Sequence, residues 1–108
     1  MKSPLTISAA GTTSTASNIT WDSAGVYPVS IICPAALTNT DFGLEIDVDG
    51  AWHPIADEFG TYSPNFTANA LIPLNNELFK SLKGRQLRVK VSSAEVSERV
   101  FYVLYERI

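Results

Sequence analysis

Phe42, Leu44, Ile46 and Val48 are apolar at every second position, with Glu45 and Asp47 between them. That period places the apolar set on one side of an extended chain and predicts an antiparallel strand with one wet face. Asp49-Gly50 follows, a pair suited to the positive φ angles of a type I′ turn, so Ala51 to Ile55 is expected to return as a hairpin partner with Pro54 marking its exposed edge. Leu87, Val89 and Val91 alternate with Arg88 and Lys90 and predict a second half-exposed strand. Val100 to Tyr105 is a continuous apolar run suited to a strand covered on both faces. Val26 to Cys33 is rich in β-branched residues but contains Pro28, which cannot donate to a ladder, so this strand is expected at an edge or with a bulge, closed by Pro34. Leu5-Thr6-Ile7 and Ile19-Thr20-Trp21 alternate over short stretches. Asp57 to Pro64 reads as loop and Phe66 to Leu74 as strand. Asn75-Asn76 is placed to cap a short helix carrying Leu78, Phe79 and Leu82 on one side, with Gly84 ending it.

About eight short strands, one short helix and frequent turns predict an all-β chain, an antiparallel β-sandwich or jelly-roll-like fold. An α/β fold would need several crossover helices. At 108 residues one domain is expected, with residues 1–20 a Ser/Thr-rich N-terminal arm or edge strands and residues 21–108 the sandwich proper. The single cysteine, Cys33, rules out an intramolecular disulfide framework. No apolar stretch approaches the ~20 residues that span a bilayer, and Met1 to Leu5 lacks the pattern of a secretory signal, so neither membrane insertion nor export by that route is expected. The sequons Asn18-Ile19-Thr20 and Asn65-Phe66-Thr67 then read as chance matches in a Thr-rich chain.

Eight basic against eleven acidic residues argue against a surface built to neutralise nucleic acid. The charges are segregated along the chain: residues 1–79 hold one base and eight acids, residues 80–108 seven bases and three acids. If those segments occupied different faces, the molecule would be dipolar and suited to oriented docking. Lys80, Lys83, Arg85, Arg88 and Lys90 form the one basic cluster, without interleaved aromatics to stack bases, so Lys83, Arg85, Arg88 and Lys90 are read as solvated or protein-partner-facing rather than nucleic-acid-binding. Trp52 and Tyr62 are candidates for a partner contact or a sugar-stacking platform.

Catalytic chemistry has little to stand on. His53 and Cys33 form the only conceivable base–nucleophile pair, and a lone cysteine in a β-branched run is ordinarily a packing residue; no enzyme is expected. Glu45, Asp47, Asp49, Asp57 and Glu58 gather around the hairpin, and Asp47, Asp49 and Glu58 have the spacing of positions one, three and twelve of an EF-hand loop. Trp52 stands where that loop needs glycine and Ala51 where it needs a ligand, so a solvated acidic face is favoured over a calcium site, and neither cofactor nor metal is expected.

The hairpin Asp49-Gly50-Ala51-Trp52-His53-Pro54-Ile55, the stretch Leu82-Lys83-Gly84-Arg85-Gln86-Leu87-Arg88-Val89 and the closing Arg99-Val100-Phe101-Tyr102-Val103-Leu104 together resemble small β-sandwich virion proteins of tailed bacteriophages, notably capsid decoration (cement) proteins. The resemblance covers roughly the C-terminal 60% of the chain. It implies a structural protein made in the host cytoplasm and carried on the capsid surface. Its partner would be the major capsid protein, with self-association as dimer or trimer, and it would bridge capsid subunits without catalysis. A Thr/Ser-rich arm would suit such docking by ordering on the capsid. The alternatives are a carbohydrate-binding sandwich module using exposed aromatics, and another virion component such as a head–tail connector or tail protein.

Overall fold

Both residues of the Asp49-Gly50 turn have positive φ, 53° and 86°, and the flanking residues Val48 and Ala51 pair directly across it. This is the two-residue type I′ connection expected of the dipeptide. The Gly50 amide is further held by the Asp47 carboxylate, N–H to Oδ1, 2.9 Å. Gly50→Ala forces a Cβ into the left-handed region and is expected to lower stability by about 1–2 kcal/mol, read from a shifted urea midpoint at unchanged slope.

The computed structural model describes residues 2–17, 26–38, 42–57, 60–62, 66–75, 78–79 and 86–107. The strands among them are β1 (Lys2–Ile7), β2 (Val26–Ile32), β3 (Phe42–Val48), β4 (Ala51–Pro54), β5 (Ala56–Asp57), β6 (Gly60–Thr61), β7 (Leu71–Pro73), β8 (Leu87–Val91) and β9 (Arg99–Arg107). A four-stranded sheet runs β1-β9-β2-β7 and a three-stranded sheet runs β4-β3-β8, every pairing antiparallel; β5 and β6 form a minimal hairpin. The protein is an all-β antiparallel sandwich.

Its core is the set that period two selects, except Val48, which is 38% exposed at the turn end of β3. Leu5 and Ile7 of β1, Ile31 of β2, and Phe101 and Val103 of β9 meet Phe42, Leu44 and Ile46 of β3 and Leu87, Val89 and Val91 of β8, all buried. Three rings lie at the centre. Phe42 stacks on Phe66 at 5.2 Å and meets Phe101 edge-on at 5.5 Å, while Phe66 lies 5.7 Å from Phe101. These contacts join the two sheets.

Residues 2–7 are not a free arm. They pair along their whole length with β9, from Lys2 opposite Leu104 to Ile7 opposite Arg99. Residues 12–17 then run beside β8. The Ser14 and Ser17 amides donate to the Val89 and Leu87 carbonyls, and the Ser14 and Ser17 hydroxyls accept from the Val89 and Leu87 amides at 2.8 and 3.0 Å. The small hydroxyl residues that resemble a flexible linker in composition thus lie close against a strand and bond it with both backbone and side chain. Deleting residues 1–18 removes a sheet strand, not an appendage. The strand expected at Ile19-Thr20-Trp21 lies outside the described residues.

β2 is internal where it lies between β9 and β7, and the register shifts between Pro28 and Ser30. Pro28 adjoins this bulge on the part of β2 that pairs with β9 alone, where proline is tolerated as on an edge. Phe66 to Ala70 is not strand. It holds a turn with Asn69 at φ 61° whose amide donates to the Pro34 carbonyl, and only Leu71–Pro73 pairs. Within Asp57 to Pro64, expected as loop, Asp57 and Gly60–Thr61 belong to the β5–β6 pair, and residues 58, 59, 63 and 64 lie outside the described residues. Asn75 does cap a helical turn: its Oδ1 accepts from the Leu78 amide at 3.2 Å and its carbonyl from the Phe79 amide at 3.1 Å. Leu82 and Gly84 lie outside the described residues.

Candidate functional site

The outer face of the three-stranded sheet carries Trp52 and Pro54 from β4, Gly43, Glu45 and Asp47 from β3, and Arg88 and Lys90 from β8, because directly paired residues share a side: Asp47 with Trp52, Glu45 with Pro54 and Arg88, Gly43 with Lys90. Five expected site residues fall into two groups here. Arg88, Lys90 and Trp52 come together on this face. Lys83 and Arg85 lie outside the described residues.

Glu45 corrects the expectation of a wet acidic face. It is only 6% exposed, because Arg88 folds across it: Nε donates to Oε1 at 2.7 Å and Nη2 lies 2.6 Å from the same oxygen. The Arg88 guanidinium also lies 4.3 Å from the centre of the Trp52 ring, so one cation serves a carboxylate and an indole face. The Lys90 ammonium stands farther off, 3.7 Å from Oε2, on a side chain 54% exposed. Charge that is segregated along the sequence is therefore interleaved in space, because β8 pairs with β3. Among the described residues the basic and acidic segments do not form separate faces. Arg88→Ala leaves a nearly buried carboxylate with one loose partner and is expected to cost about 1–2 kcal/mol, with an altered Trp52 fluorescence spectrum as the local readout.

Between Pro54 and Lys90 the face sinks into a groove of about 310 Å³ floored by Gly43, with Glu45, Val91 and Ser92 along it. Tyr62 does not share this face's pattern. Half-buried, it packs edge-on against Phe79 at 5.6 Å and its hydroxyl accepts from the Asn75 amide at 3.1 Å. It fastens the Asn75 turn to the core.

The outer face of the four-stranded sheet is different in kind. Pro4, Tyr102, Ile32 and Leu71 stand in register and form an apolar row across all four strands. Ile32 is 36% and Leu71 60% exposed. Leu104 and Pro73 flank the row, and the Lys2 ammonium lies 4.8 Å over the Tyr102 ring. The apolar run Val100 to Tyr105 thus buries Phe101, Val103 and Tyr105 and leaves Val100, Tyr102 and Leu104 half-buried on this outer side. The run of apolar residues was visible in the sequence. That four strands would line up their apolar residues required the register.

Neither metal nor nucleophile reading gains a site among the described residues. No three metal-ligating side chains converge there, and the stretch weighed against an EF-hand loop begins in the β3–β4 hairpin, with strand β3 where the first helix would stand; Glu58 lies outside the described residues. Cys33 is buried in the core while His53 is exposed on β4. Burial pushes the Cys33 thiol up, opposed by a backbone hydrogen bond from Thr67, and burial also pushes the Tyr105 phenol up. Both groups stay neutral in the fold and ionise first in the unfolded chain. Their stabilisation is complete below the ordinary thiol range and is lost as pH climbs through the raised values. Stability is therefore expected to fall above about pH 8.5, and Cys33→Ala with Tyr105→Phe should flatten that slope in urea titrations at stepped pH.

Comparison with protein-family models, with curated proteins and with solved structures finds no match to this chain.

Proposed function

We propose that this sandwich is a non-catalytic virion structural protein that binds the outside of an assembled phage capsid and holds neighbouring capsid subunits together. The observation that carries the reading is the pair of unlike outer faces on opposite sides of one rigid core: an apolar row on the four-stranded sheet, and an aromatic and charged surface with a groove on the three-stranded sheet. A bridging protein needs two such faces, and many weak identical contacts on a repetitive surface sum by avidity. Three of the strands that end a sheet, β1, β4 and β7, contain Pro4, Pro54 and Pro73, and a fourth, β8, is flanked by residues 12–17. Proline on these edges disfavours strand addition, which turns association toward the faces.

The test is co-sedimentation of the purified chain with mature and unexpanded capsids of a candidate phage, beside a glycan array. Saturable binding at a copy number that scales with capsid subunits supports the proposal. Binding confined to a single vertex would reassign the protein to the head–tail junction. A glycan hit without capsid binding would make it a carbohydrate-binding module.

A further inference from the structure

Gly43 occupies the central strand of the three-stranded sheet without a local reason to be glycine. Gly50, not Gly43, has the positive φ. A Cβ built on Gly43 meets nothing within 4 Å. Glycine inside a strand weakens it by about 0.5–1 kcal/mol relative to alanine. Strand glycine is found at bulges, at tight bends and where a ligand or another backbone approaches closely, and β3 pairs with β8 in unbroken register through Gly43, which leaves close approach.

Here the missing side chain opens the 310 Å³ groove. Its walls, Pro54 on β4 and Lys90 on β8, stand on the two strands flanking β3, about 10 Å apart. That leaves room for one ring or branched aliphatic chain between the proline ring and the lysine stem. The charges at the mouth are unequally engaged. Arg88 is committed to Glu45 and Trp52, and Asp47, at the turn end of the face, accepts from the Gly50 amide. Lys90 is the looser and more exposed cation, at 3.7 Å and 54%.

We infer that the groove over Gly43 is a socket for one apolar side chain of a protein partner, with a carboxylate beside it that meets Lys90. The inference rests on the reading that the chain docks on a protein surface, and it identifies the contact. A single buried anchor with a charged neighbour is how a small interface concentrates its energy.

The test uses the full chain labelled with ¹⁵N and titrated with N-acetyl-phenylalanyl-glutamate amide. The matching phenylalanyl-lysine amide and methyl glucoside are the comparison ligands. The acidic dipeptide is expected to shift the amides of Gly43, Glu45, Lys90 and Ser92 saturably in the millimolar range, and more strongly than the basic one. Gly43→Val fills the groove from a site with space for it, so it is expected to fold at wild-type stability or better and to lose these shifts. Lys90→Gln is expected to weaken the acidic dipeptide about five-fold and abolish the preference, which keeps the test valid if the valine variant fails to fold. Shifts that persist in Gly43→Val, an absence of saturation, or methyl glucoside binding in place of the peptide would each overturn the socket. On capsids the two ideas separate. A folded Gly43→Val chain with undiminished occupancy overturns the socket and spares capsid binding. A wild-type chain that saturates with dipeptide but ignores capsids supports the socket and overturns the capsid reading.

Discussion

Replacing Glu95 with alanine is expected to lower folding stability by about 3–5 kcal/mol, the range seen when one partner of a buried ion pair is removed. Glu95 is wholly buried, 0% exposed. Its Oε1 accepts from Arg99 Nε at 2.8 Å and from the Thr38 amide at 2.9 Å, and Arg99 Nη2 reaches the Thr38 hydroxyl at 3.1 Å. Its backbone joins a third segment: the Ala10 amide donates to the Glu95 carbonyl and the Glu95 amide to Gly11. One residue therefore pins the turn after β1, the loop after β2 and the start of β9. Alanine leaves the Arg99 guanidinium, largely withdrawn from water, without its counter-charge, and leaves the Thr38 amide without an acceptor. Glu95→Gln keeps an acceptor and should cost less. Glu95→Leu combined with Arg99→Met removes both charges and should recover part of the loss. Urea unfolding of the four proteins decides the point: a loss below about 1 kcal/mol in Glu95→Ala would show that the pair contributes no more than a surface ion pair.

Phe42→Ala is expected to be as damaging, about 3–5 kcal/mol. Phe42 is fully buried at the start of β3, stacked on Phe66 and edge-on to Phe101 of the facing sheet. Truncation removes the apolar surface, opens a cavity between sheets that relax only in part, and breaks two ring contacts worth about 0.5–1.5 kcal/mol each. Phe42→Leu should cost appreciably less because it retains most of the volume. A domain of this size is stabilised by only about 5–15 kcal/mol, so the alanine variant should show a large fall in thermal midpoint by circular dichroism. A midpoint within a few degrees of wild type would mean that the three rings are not the centre of the sandwich.

These two sites differ in how far the sequence announces them. Phe42 belongs to a period-two series, and alternation alone identifies it as inward-facing because side chains of a strand point to opposite sides in turn. Glu95 sits among small polar residues between two strands and looks like any solvated acid. Its partners Thr38 and Ala10 are far away in sequence, and nothing local signals that three loops converge on it. Glu45 is the intermediate case. Its outward direction is legible from alternation, but its burial is not, since that depends on Arg88 being its neighbour across the sheet.

The candidate site divides in the same way. Trp52, Arg88 and Lys90 could be named from residue type, and Gly43 could not, because the significance of a missing Cβ lies in what stands on the adjacent strands. Tyr62 looked equally available and was claimed by Phe79 and Asn75. The Ser/Thr-rich stretch before residue 18 has the composition of a flexible arm, yet its first strand is stitched to β9 and residues 12–17 to β8, since short hydroxyl side chains let a backbone lie close to a strand and bond it.

The amino-acid sequence by itself determined the all-β class, the type I′ hairpin at Asp49-Gly50 and the inward faces of β3 and β8. Each follows from interactions spanning a few residues, whether turn geometry or the two-residue pleat. The tertiary structure decided which strands are neighbours, and with that the partnership of Glu45 with Arg88, the apolar row from Pro4 to Leu71, the groove over Gly43 and the burial of Glu95. All of these join residues distant in the chain, and register between separate strands is set by the packing of the whole core, which no local pattern encodes.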